Sequence, residues 1–162
     1  MSDTIIDLRQ APESLLHQVL ALNGRYEAET STLVMDRLRG MLSSASFCPS
    51  LEDGKAFLIA FRDTAAYDGA SFRWLQREMC AFVYIDRIIV SAEAQGRGLG
   101  RHLYEHVEAQ AVSYGFRALT CEVNLEPLNE RSLAFHQTLG FSEIGRGTTP
   151  NGKTVCYLRK SI

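Results

Sequence analysis

The hydrophobic positions of this chain recur with two periods, and the change from one period to the other separates predicted strands from predicted helices. Short apolar runs bounded by turn residues indicate strands, and apolar residues three and four apart indicate helices. The first part of the chain is predicted to form a strand at residues 4–9 and a helix from Pro12 to Gly24. A second helix is predicted after the candidate N-caps Thr30, Ser31 and Thr32, and its apolar face contains Leu33, Val34, Leu38, Met41 and Leu42. A hairpin follows, with arms at residues 47–51 and 55–61 and a turn at Asp53-Gly54.

The most continuous apolar strand covers residues 84–90 and is followed by a glycine-rich turn and a long helical pattern. Because Ile88, Ile89 and Val90 are consecutive, the strand must bury both of its faces, which predicts a central position in a sheet. The next apolar strand, at residues 116–123, is predicted to run parallel to it because a helix joins the two. That helix is predicted at residues 99–114, with Leu103, Tyr104, Val107, Ala111 and Val112 facing inward and Gly115 ending it.

Shorter segments complete the predicted architecture. Residues 63–71 are polar and loop-like, and Trp74, the one tryptophan, is predicted to lie where the chain enters the central strand. The remaining predicted elements are a helix at residues 129–139, a strand at 141–145, a hairpin turn at Asn151-Gly152 and a strand at 154–158. No repeat or linker interrupts the pattern, so residues 1–162 are predicted to form one α/β domain with a mixed sheet.

Composition places the chain among ordinary globular proteins. It has 162 residues, of which 46% are hydrophobic and 22% charged, and a net charge of −2, which argues against general nucleic-acid binding. Its four cysteines are far apart, so no metal or redox motif is predicted, and Cys121 is expected to be a buried thiol. Because the chain shows neither a leader pattern nor an apolar run of about 18 residues, we expect a cytoplasmic protein with no membrane partner.

The turn after the central strand carries the first candidate chemistry. Gly96, Gly98 and Gly100 remove three Cβ atoms where a helix begins, so main-chain amides and the helix dipole can form an anion site. A Walker A loop is excluded, because Arg101 stands in place of its lysine and no serine or threonine follows. A dinucleotide-binding fingerprint requires a glycine in place of Arg101, but it stays an alternative because Glu122 lies where a ribose-binding acid is expected.

Two motifs together carry a resemblance to a known family. The first, Gln-x-x-Gly-x-Gly at residues 95–100, follows an apolar strand and opens a helix, and in this it resembles the acyl-CoA diphosphate loop of the GNAT superfamily of acetyltransferases. The second, at residues 129–141, matches Asn-x-x-Ala-x-x-Phe-Tyr-x-x-x-Gly-Phe in order and spacing. This chain departs from the second motif with Ser132 in place of alanine and His136 in place of tyrosine.

The resemblance implies a fold and a co-substrate. The implied fold is α/β (α+β): a single mixed, mostly antiparallel twisted sheet of about six or seven strands flanked by about four helices, with a central parallel strand pair splayed to bind acyl-CoA. The implied co-substrate is acetyl-CoA without a metal, and a homodimer is a common assembly for this fold. The residues implied to hold acetyl-CoA are Ile88, Ile89, Val90, Gln95, Gly96, Arg97, Gly98, Leu99, Gly100, Arg101, Asn129, Ser132, Phe135 and His136.

The same resemblance implies direct transfer of an acetyl group to a primary amine. Asp86 is the predicted base for the amine proton, although an ion pair with a neighbouring cation fits it equally well, and Glu122 is the second candidate. Strand alternation places Asp86 and Arg87 on opposite faces. His136 is the predicted acid for the leaving thiolate, or alternatively packs against the coenzyme tail. A main-chain N–H near the end of the central strand is predicted to stabilise the oxyanion.

Acceptor selectivity is predicted to come mainly from the N-terminal half of the chain. The first two helices usually wall the acceptor site in the superfamily, so Tyr26 and Glu27, in the loop between them, are candidates for acceptor selectivity. Trp74 and Glu122 are further candidates. The sequence does not name the amine. Two alternatives stay open: a non-catalytic acyl-CoA-binding module, favoured by the missing tyrosine, and the dinucleotide-binding domain.

Overall fold

The computed structural model of the protein describes residues 3–162, which contain a seven-stranded sheet and five α-helices. The strands are β1 (Ile5–Asp7), β2 (Pro49–Leu51), β3 (Ala56–Arg62), β4 (Phe82–Val90), β5 (Ala118–Glu126), β6 (Ser142–Thr148) and β7 (Thr154–Ser161). The helices are α1 (Glu13–Gly24), α2 (Met35–Ser44), α3 (Ala70–Glu78), α4 (Leu99–Ser113) and α5 (Glu130–Thr138).

The strands follow the order β1-β2-β3-β4-β5-β7-β6 across the sheet, with β4 in the centre. Strands β4 and β5 run parallel, and helix α4 provides the crossover between them, as the sequence pattern predicts. The other neighbouring strands run antiparallel. The predicted mixed, mostly antiparallel sheet is therefore confirmed. The dinucleotide-binding alternative is wrong, because such a domain requires a mostly parallel sheet.

Helices cover both faces of the sheet. On one face, leucines of α1 and α2 pack with Phe72 and Leu75 of α3. On the other face, α4 buries four of the five residues predicted to point inward. The prediction for the fifth, Val112, is wrong: its side chain is 54% exposed. One residue step from the buried Ala111 turns about 100° around a helix, which carries Val112 out of the buried stripe.

Strands β4 and β5 separate along their length. They pair over residues 82–85 and 118–121, and beyond this segment each strand keeps its outer neighbour. Ile88 and Val90 are consequently half-buried, so the prediction of burial on both faces through Val90 is wrong. A gap opens beside these two residues, at the end of β4 that leads into the glycine turn.

A β-bulge at Asp86 changes which side chains share a face of β4. The β3 partner of Arg87 is Ile59 and that of Ile85 is Ala60, so Asp86 is an extra residue in this ladder. Asp86 and Arg87 therefore project to the same side, and their side chains form an ion pair at 2.7 Å. The predicted alternation, with Arg87 opposite Asp86, is wrong because the bulge shifts the pattern by one residue.

Helix α3 replaces the strand approach predicted around Trp74. Phe72 and Leu75 are buried one turn apart, with Arg73 and Trp74 between them and polar residues after them. Trp74 stacks on Tyr157 of β7 instead, with ring centroids 4.1 Å apart. Aromatic residues favour strands by propensity, but here the three-residue spacing of buried positions prevails.

Helix α2 begins later than predicted. Val34 is its N-cap and makes no side-chain capping bond, so the candidate caps at residues 30–32 belong to the preceding loop. Val34 is 61% exposed and does not join the apolar face, whereas Leu38, Met41 and Leu42 are buried as predicted. The residues before α2 are thus free of the helix and can line a cavity.

Candidate active site

A cleft of about 620 Å³ opens where β4 and β5 separate, bounded by the glycine turn, the first turn of α4 and helix α5. We term it the glycine-turn cleft. It brings together residues of both sequence motifs, although the two lie far apart in the chain. Every residue implied to hold acetyl-CoA lines it except Arg97, whose guanidinium pairs with Asp3 at 3.3 Å.

The glycines shape the turn in two ways. Gly96 and Gly98 have φ angles of +80° and +73°, the left-handed region that other residues adopt only with strain. Gly98 is the N-cap of α4, where the first amides of a helix have no intrahelical acceptor. A Cβ at Gly100 would lie 2.9 Å from Phe135 of α5, so glycine allows the two helices to approach closely. The turn therefore presents amides and the positive end of the helix dipole to an open cleft.

Two arginines add positive charge to the same cleft. Arg101, in the first turn of α4, and Arg131, on α5, both line it and are exposed. A cation is unfavourable at the positive end of a helix unless an anion is present. Arg131 is not among the predicted residues, although its place two residues after Asn129 in the second motif could have indicated it. The cleft suits a ligand with several negative charges, such as a diphosphate.

Gln95 ties the glycine turn to the end of β4. Its Nε2 donates to the carbonyl of Val90 at 3.1 Å and to the hydroxyl of Tyr26 at 3.4 Å. Tyr26, one of the residues predicted to select the acceptor substrate, accordingly lines the glycine-turn cleft. The Gln95 amide thus orders the turn and the Tyr26 ring together.

His136 lies in the wall of the cleft with both ring nitrogens engaged. Nδ1 is 2.7 Å from the carbonyl oxygen of Ser132, which can only accept, so Nδ1 carries the proton. Nε2 then accepts a hydrogen bond from the hydroxyl of Tyr104, also at 2.7 Å. Burial lowers the pKa of His136, and the hydrogen bond to Ser132 opposes this effect only in part. The imidazole is therefore neutral at pH 7.

A second cavity, of about 290 Å³, contains both candidate bases, and we term it the carboxylate pocket. Its walls come from the loop before α2, the start of α3, strands β4 and β5, and the turn between β6 and β7. Glu29 and Thr30 line both cavities, so the two cavities adjoin at this loop. A group held in one cavity can therefore approach a group held in the other.

Glu122 is the carboxylate on β5 in this pocket. It accepts hydrogen bonds from the Tyr84 hydroxyl at 3.2 Å and from the Ser71 hydroxyl at 2.5 Å. Burial raises the pKa of Glu122, and the charge of Asp86 raises it further, against the lowering effect of the bonds from Ser71 and Tyr84. A carboxylate with a raised pKa beside a cavity is typical of a general base.

Asp86 is held by two donors. One oxygen accepts from the Tyr67 hydroxyl, and the other accepts from Arg87 Nε at 2.7 Å. Arg87 is 7% exposed and also donates to Asn23 Oδ1 at 2.8 Å and to Ser31 Oγ at 3.0 Å. The ion pair, which is the alternative that the sequence leaves open for Asp86, is therefore present. Through Arg87 it fixes the loop before α2 to the centre of the sheet.

Comparison with known proteins identifies the family. The sequence model of the acetyltransferase (GNAT) family matches residues 23–141. This chain belongs to the GNAT family. The matched range includes β4, the glycine turn and α5, which form most of the glycine-turn cleft. No curated protein has a matching sequence.

Solved structures share the GNAT fold. The ribosomal-protein-S18-alanine N-acetyltransferase from Escherichia coli is similar with a TM-score of 0.66 at 20% identity, over 98% of this chain and 93% of that chain. An N-acetyltransferase from Staphylococcus aureus Mu50 has a TM-score of 0.69 at 16% identity, over 98% and 97%. The NatC complex bound to Gag peptide and CoA has a TM-score of 0.71 at 14% identity, over 98% of each chain. At these identities the likeness establishes the fold alone.

The four predicted acceptor residues of this GNAT chain lie in different places. Glu122 lines the carboxylate pocket, and Tyr26 lines the glycine-turn cleft. Glu27 is exposed and Trp74 packs on Tyr157, and neither is in the lining of the two cavities. Of the two predicted residues in the loop before α2, Tyr26 therefore lines a cavity and Glu27 does not.

The polar residues of the carboxylate pocket that are absent from the sequence predictions include Tyr67, Ser71 and Lys153. Tyr67 and Lys153 stand beside Asp-Gly and Asn-Gly turns, and Ser71 ends a polar stretch, so each looks like an ordinary loop residue. Only the fold shows that these segments converge on one cavity.

Cysteines and other candidate groups add no further site. All four cysteines are free, and burial raises the pKa of Cys121 well above its ordinary value, so the prediction of a buried thiol is confirmed. Within residues 3–162, no group of three or more His, Cys, Asp or Glu side chains is placed to hold a metal ion. Over the same residues, no helix combines the length and apolar character needed to cross a membrane.

Proposed function

We propose that this GNAT protein transfers the acetyl group of acetyl-CoA directly to a primary amine. The observation that carries the proposal is the meeting of two cavities at Glu29 and Thr30, one lined by the glycine turn and the other by a buried carboxylate. Because the two cavities adjoin, donor and acceptor can be held together in one complex, which removes much of the entropic barrier to their reaction.

The glycine-turn cleft fits acetyl-CoA by the chemistry of its lining. Main-chain amides at residues 96–101, with Arg101 and Arg131 at the rim, suit the diphosphate. The edge of β4 at residues 88–90, from which β5 has separated, offers backbone groups to the amides of the pantetheine arm. Acetyl-CoA, when bound, supplies the acetyl group as an activated thioester. A main-chain N–H at this edge would stabilise charge on the thioester oxygen, an effect of about 3 kcal/mol in other enzymes.

Glu122 is proposed as the base. The amine nitrogen forms a bond to the acetyl carbon, the carbon–sulfur bond breaks with its electron pair moving to sulfur, and Glu122 takes the proton that the nitrogen loses. Both carboxylates accept two hydrogen bonds, but one donor to Asp86 is the charged guanidinium of Arg87, whereas both donors to Glu122 are neutral hydroxyls, which favours Glu122 as the base. Asp86 contributes by raising the pKa of Glu122.

His136 is proposed to shape the cleft and not to donate a proton. Its Nδ1 proton is directed at the Ser132 carbonyl, and its Nε2 accepts from Tyr104, so neither nitrogen offers a proton to the cleft. A thiol ionises with a pKa of about 8.5, so the thiolate can leave without an acid beside it.

Acetyl transfer to a panel of primary amines tests the proposal. The purified protein with acetyl-CoA is expected to release free CoA thiol and to give N-acetylated product, measured by thiol titration and mass spectrometry. Initial rates with both substrates varied are expected to give intersecting double-reciprocal plots, because direct transfer requires both to be bound at once. Parallel plots would indicate an acetylated enzyme instead.

The controls separate catalysis from binding. Tertiary amines of similar shape carry no proton to lose and are expected to give no product. Stabilisation of the protein by acetyl-CoA without product from any amine would overturn the proposal and support the acyl-CoA-binding module.

A further inference from the structure

Three of the six charged side chains that line the carboxylate pocket, Arg37, Asp86 and Arg87, are already neutralised by a partner. Asp86 pairs with Arg87 at 2.7 Å, and Arg37 pairs with Asp68 at 2.9 Å. The four residues of these two ion pairs together contribute no net charge. The selectivity of the pocket therefore depends on the charges that remain.

Three charged residues of the lining remain without an ion pair among residues 3–162: Glu29, Glu122 and Lys153. Glu29 lines both cavities and so marks the junction with the glycine-turn cleft. Lys153 lines the carboxylate pocket but not the cleft. The pocket thus has a carboxylate where the acetyl group must arrive and an ammonium elsewhere in its wall.

Lys153 is held in place over the pocket. Its Nζ donates to the carbonyl oxygen of Ala28 at 2.8 Å, which fixes the ammonium between the β6–β7 turn and the loop before α2. Asn124 Nδ2 donates to the same carbonyl at 3.3 Å and helps to hold the loop. An ammonium has three donors, so Lys153 can bind an anion without leaving Ala28. A fixed charge of this kind loses little entropy when a ligand binds.

We infer that the acceptor is a small amine that also carries a carboxylate, that is, an amino acid or a close analogue. This inference rests on the proposed transferase function. The amino group of the acceptor lies between Glu29 and Glu122 as the neutral amine that reacts, and the carboxylate of the acceptor binds Lys153. A polyamine would place a second positive charge against Lys153, and an amine without a carboxylate would leave the N–H donors of Lys153 unused. The volume of about 290 Å³ also favours a small acceptor, since pockets for drug-sized ligands start at about 300 Å³.

Matched acceptors test the inference. Each α- and ω-amino acid in a series is compared with its primary amide and with the amine that lacks the carboxyl group. For at least one chain length, kcat/KM for the carboxylate is expected to exceed that for the amide by about tenfold or more, as a hydrogen-bonded charge pair requires. Titration of the CoA-loaded protein with the same pairs, followed by calorimetry, is expected to give the same order of Kd without turnover.

Substitution of Lys153 tests the residue itself. Lys153→Gln is expected to reduce the preference for carboxylate over amide by about tenfold through KM, while KM for acetyl-CoA stays unchanged. Lys153→Arg is expected to retain most of the preference. Arg39→Gln is the matched control, because it removes one positive charge from a surface pair with Glu13, away from both cavities.

The outcomes distinguish this inference from the proposed function. Equal kcat/KM for carboxylates and amides in the unsubstituted protein would overturn the inference and leave the transferase proposal standing. An equal loss for every acceptor in Lys153→Gln would also overturn it, because Lys153 would then act only by holding Ala28. Absence of transfer to any amine would overturn the proposed function and, with it, the inference.

Discussion

The chemistry of Glu122 follows from its surroundings. The carboxylate is largely buried and accepts hydrogen bonds from two hydroxyls, and it takes part in no ion pair among residues 3–162. Burial disfavours the ionised form and so raises the pKa, which makes the carboxylate a stronger base once ionised. Asp86 has two donors as well, but one of them is a guanidinium, and this difference is the basis of the different roles proposed for the two carboxylates.

Glu122→Gln is expected to lower kcat by about 10² to 10⁴-fold, because general-base catalysis contributes that much. KM for acetyl-CoA is expected to stay near its original value, since Glu122 lines the other cavity. In the unsubstituted protein, kcat/KM is expected to fall on the acidic side with an apparent pKa above 4.5, the ordinary value for glutamate. Ser71→Ala is expected to move this limb to higher pH, because the Ser71 hydrogen bond lowers the pKa. The pH dependence of kcat/KM measures both effects.

Stability measurements separate this role from folding. The folded-state pKa of Glu122 is above its unfolded value, so the folded protein binds more protons between the two values and loses stability as pH rises through that window. Glu122→Gln removes this titration, and its free energy of unfolding relative to the original protein is expected to increase with pH. Glu143→Gln, at a surface pair with Arg146, is the control. A Glu122→Gln protein with unchanged turnover would remove Glu122 from the mechanism.

Among the helices and strands, the sequence predicts those features that depend on the local spacing of apolar residues. Helices α4 and α5 and the parallel placement of β4 and β5 follow from apolar spacing and from the helical crossover. The bulge at Asp86 depends on the partner strand and leaves no signal in the residues of β4 themselves. Helix α3 is short and rich in aromatic residues, so propensity and period conflict there.

The bulge brings a buried ion pair to the middle of β4, and Arg87→Met tests its contribution. This substitution is expected to lower the free energy of unfolding by about 3–5 kcal/mol, because it leaves the Asp86 carboxylate buried and unpaired. The double variant Asp86→Asn/Arg87→Met removes both charges and is expected to recover most of the loss. Urea unfolding at pH 7 measures each value.

A matched surface pair provides the comparison. Arg39→Met breaks the exposed pair with Glu13 on α1 and is expected to change stability little. If the double variant is as unstable as Arg87→Met, the ion pair is not the cause, and the hydrogen bonds from Arg87 to Asn23 and Ser31 account for the loss.

For the whole molecule, one cavity could be predicted from the sequence and the other could not. The glycine-turn cleft comes mainly from two contiguous motifs, at residues 95–100 and 129–141, so recognising the motifs amounts to recognising the cleft. The carboxylate pocket collects side chains from the loop before α2, the start of α3 and the β6–β7 turn. Their convergence depends on the strand order β5-β7-β6, which no local pattern determines.

The gap between β4 and β5 means that a ligand in the glycine-turn cleft would affect the stability of the whole sheet. The two halves of the sheet are joined between these strands over residues 82–85 and 118–121 only, whereas the glycine-turn cleft has walls on both β4 and α5. A ligand in the cleft therefore bridges segments that the sheet leaves apart. Acetyl-CoA at 100 times its Kd is expected to stabilise the protein by about 2.7 kcal/mol, which is roughly 5–11 °C in Tm for a chain of this length.

Two glycine substitutions show whether this shift comes from the glycine-turn cleft. The Cβ of Gly100→Ala would lie 2.9 Å from Cζ of Phe135, so the ring must move and the cleft must change shape. Most of the Tm shift is therefore expected to be lost in this variant. Gly40→Ala, on α2, adds a Cβ with no heavy atom within 4 Å and is expected to keep the full shift. Scanning calorimetry measures the Tm of each variant with and without acetyl-CoA. Equal Tm shifts in the two variants would mean that acetyl-CoA binds elsewhere, because Gly100→Ala disturbs the glycine-turn cleft and would have left binding intact.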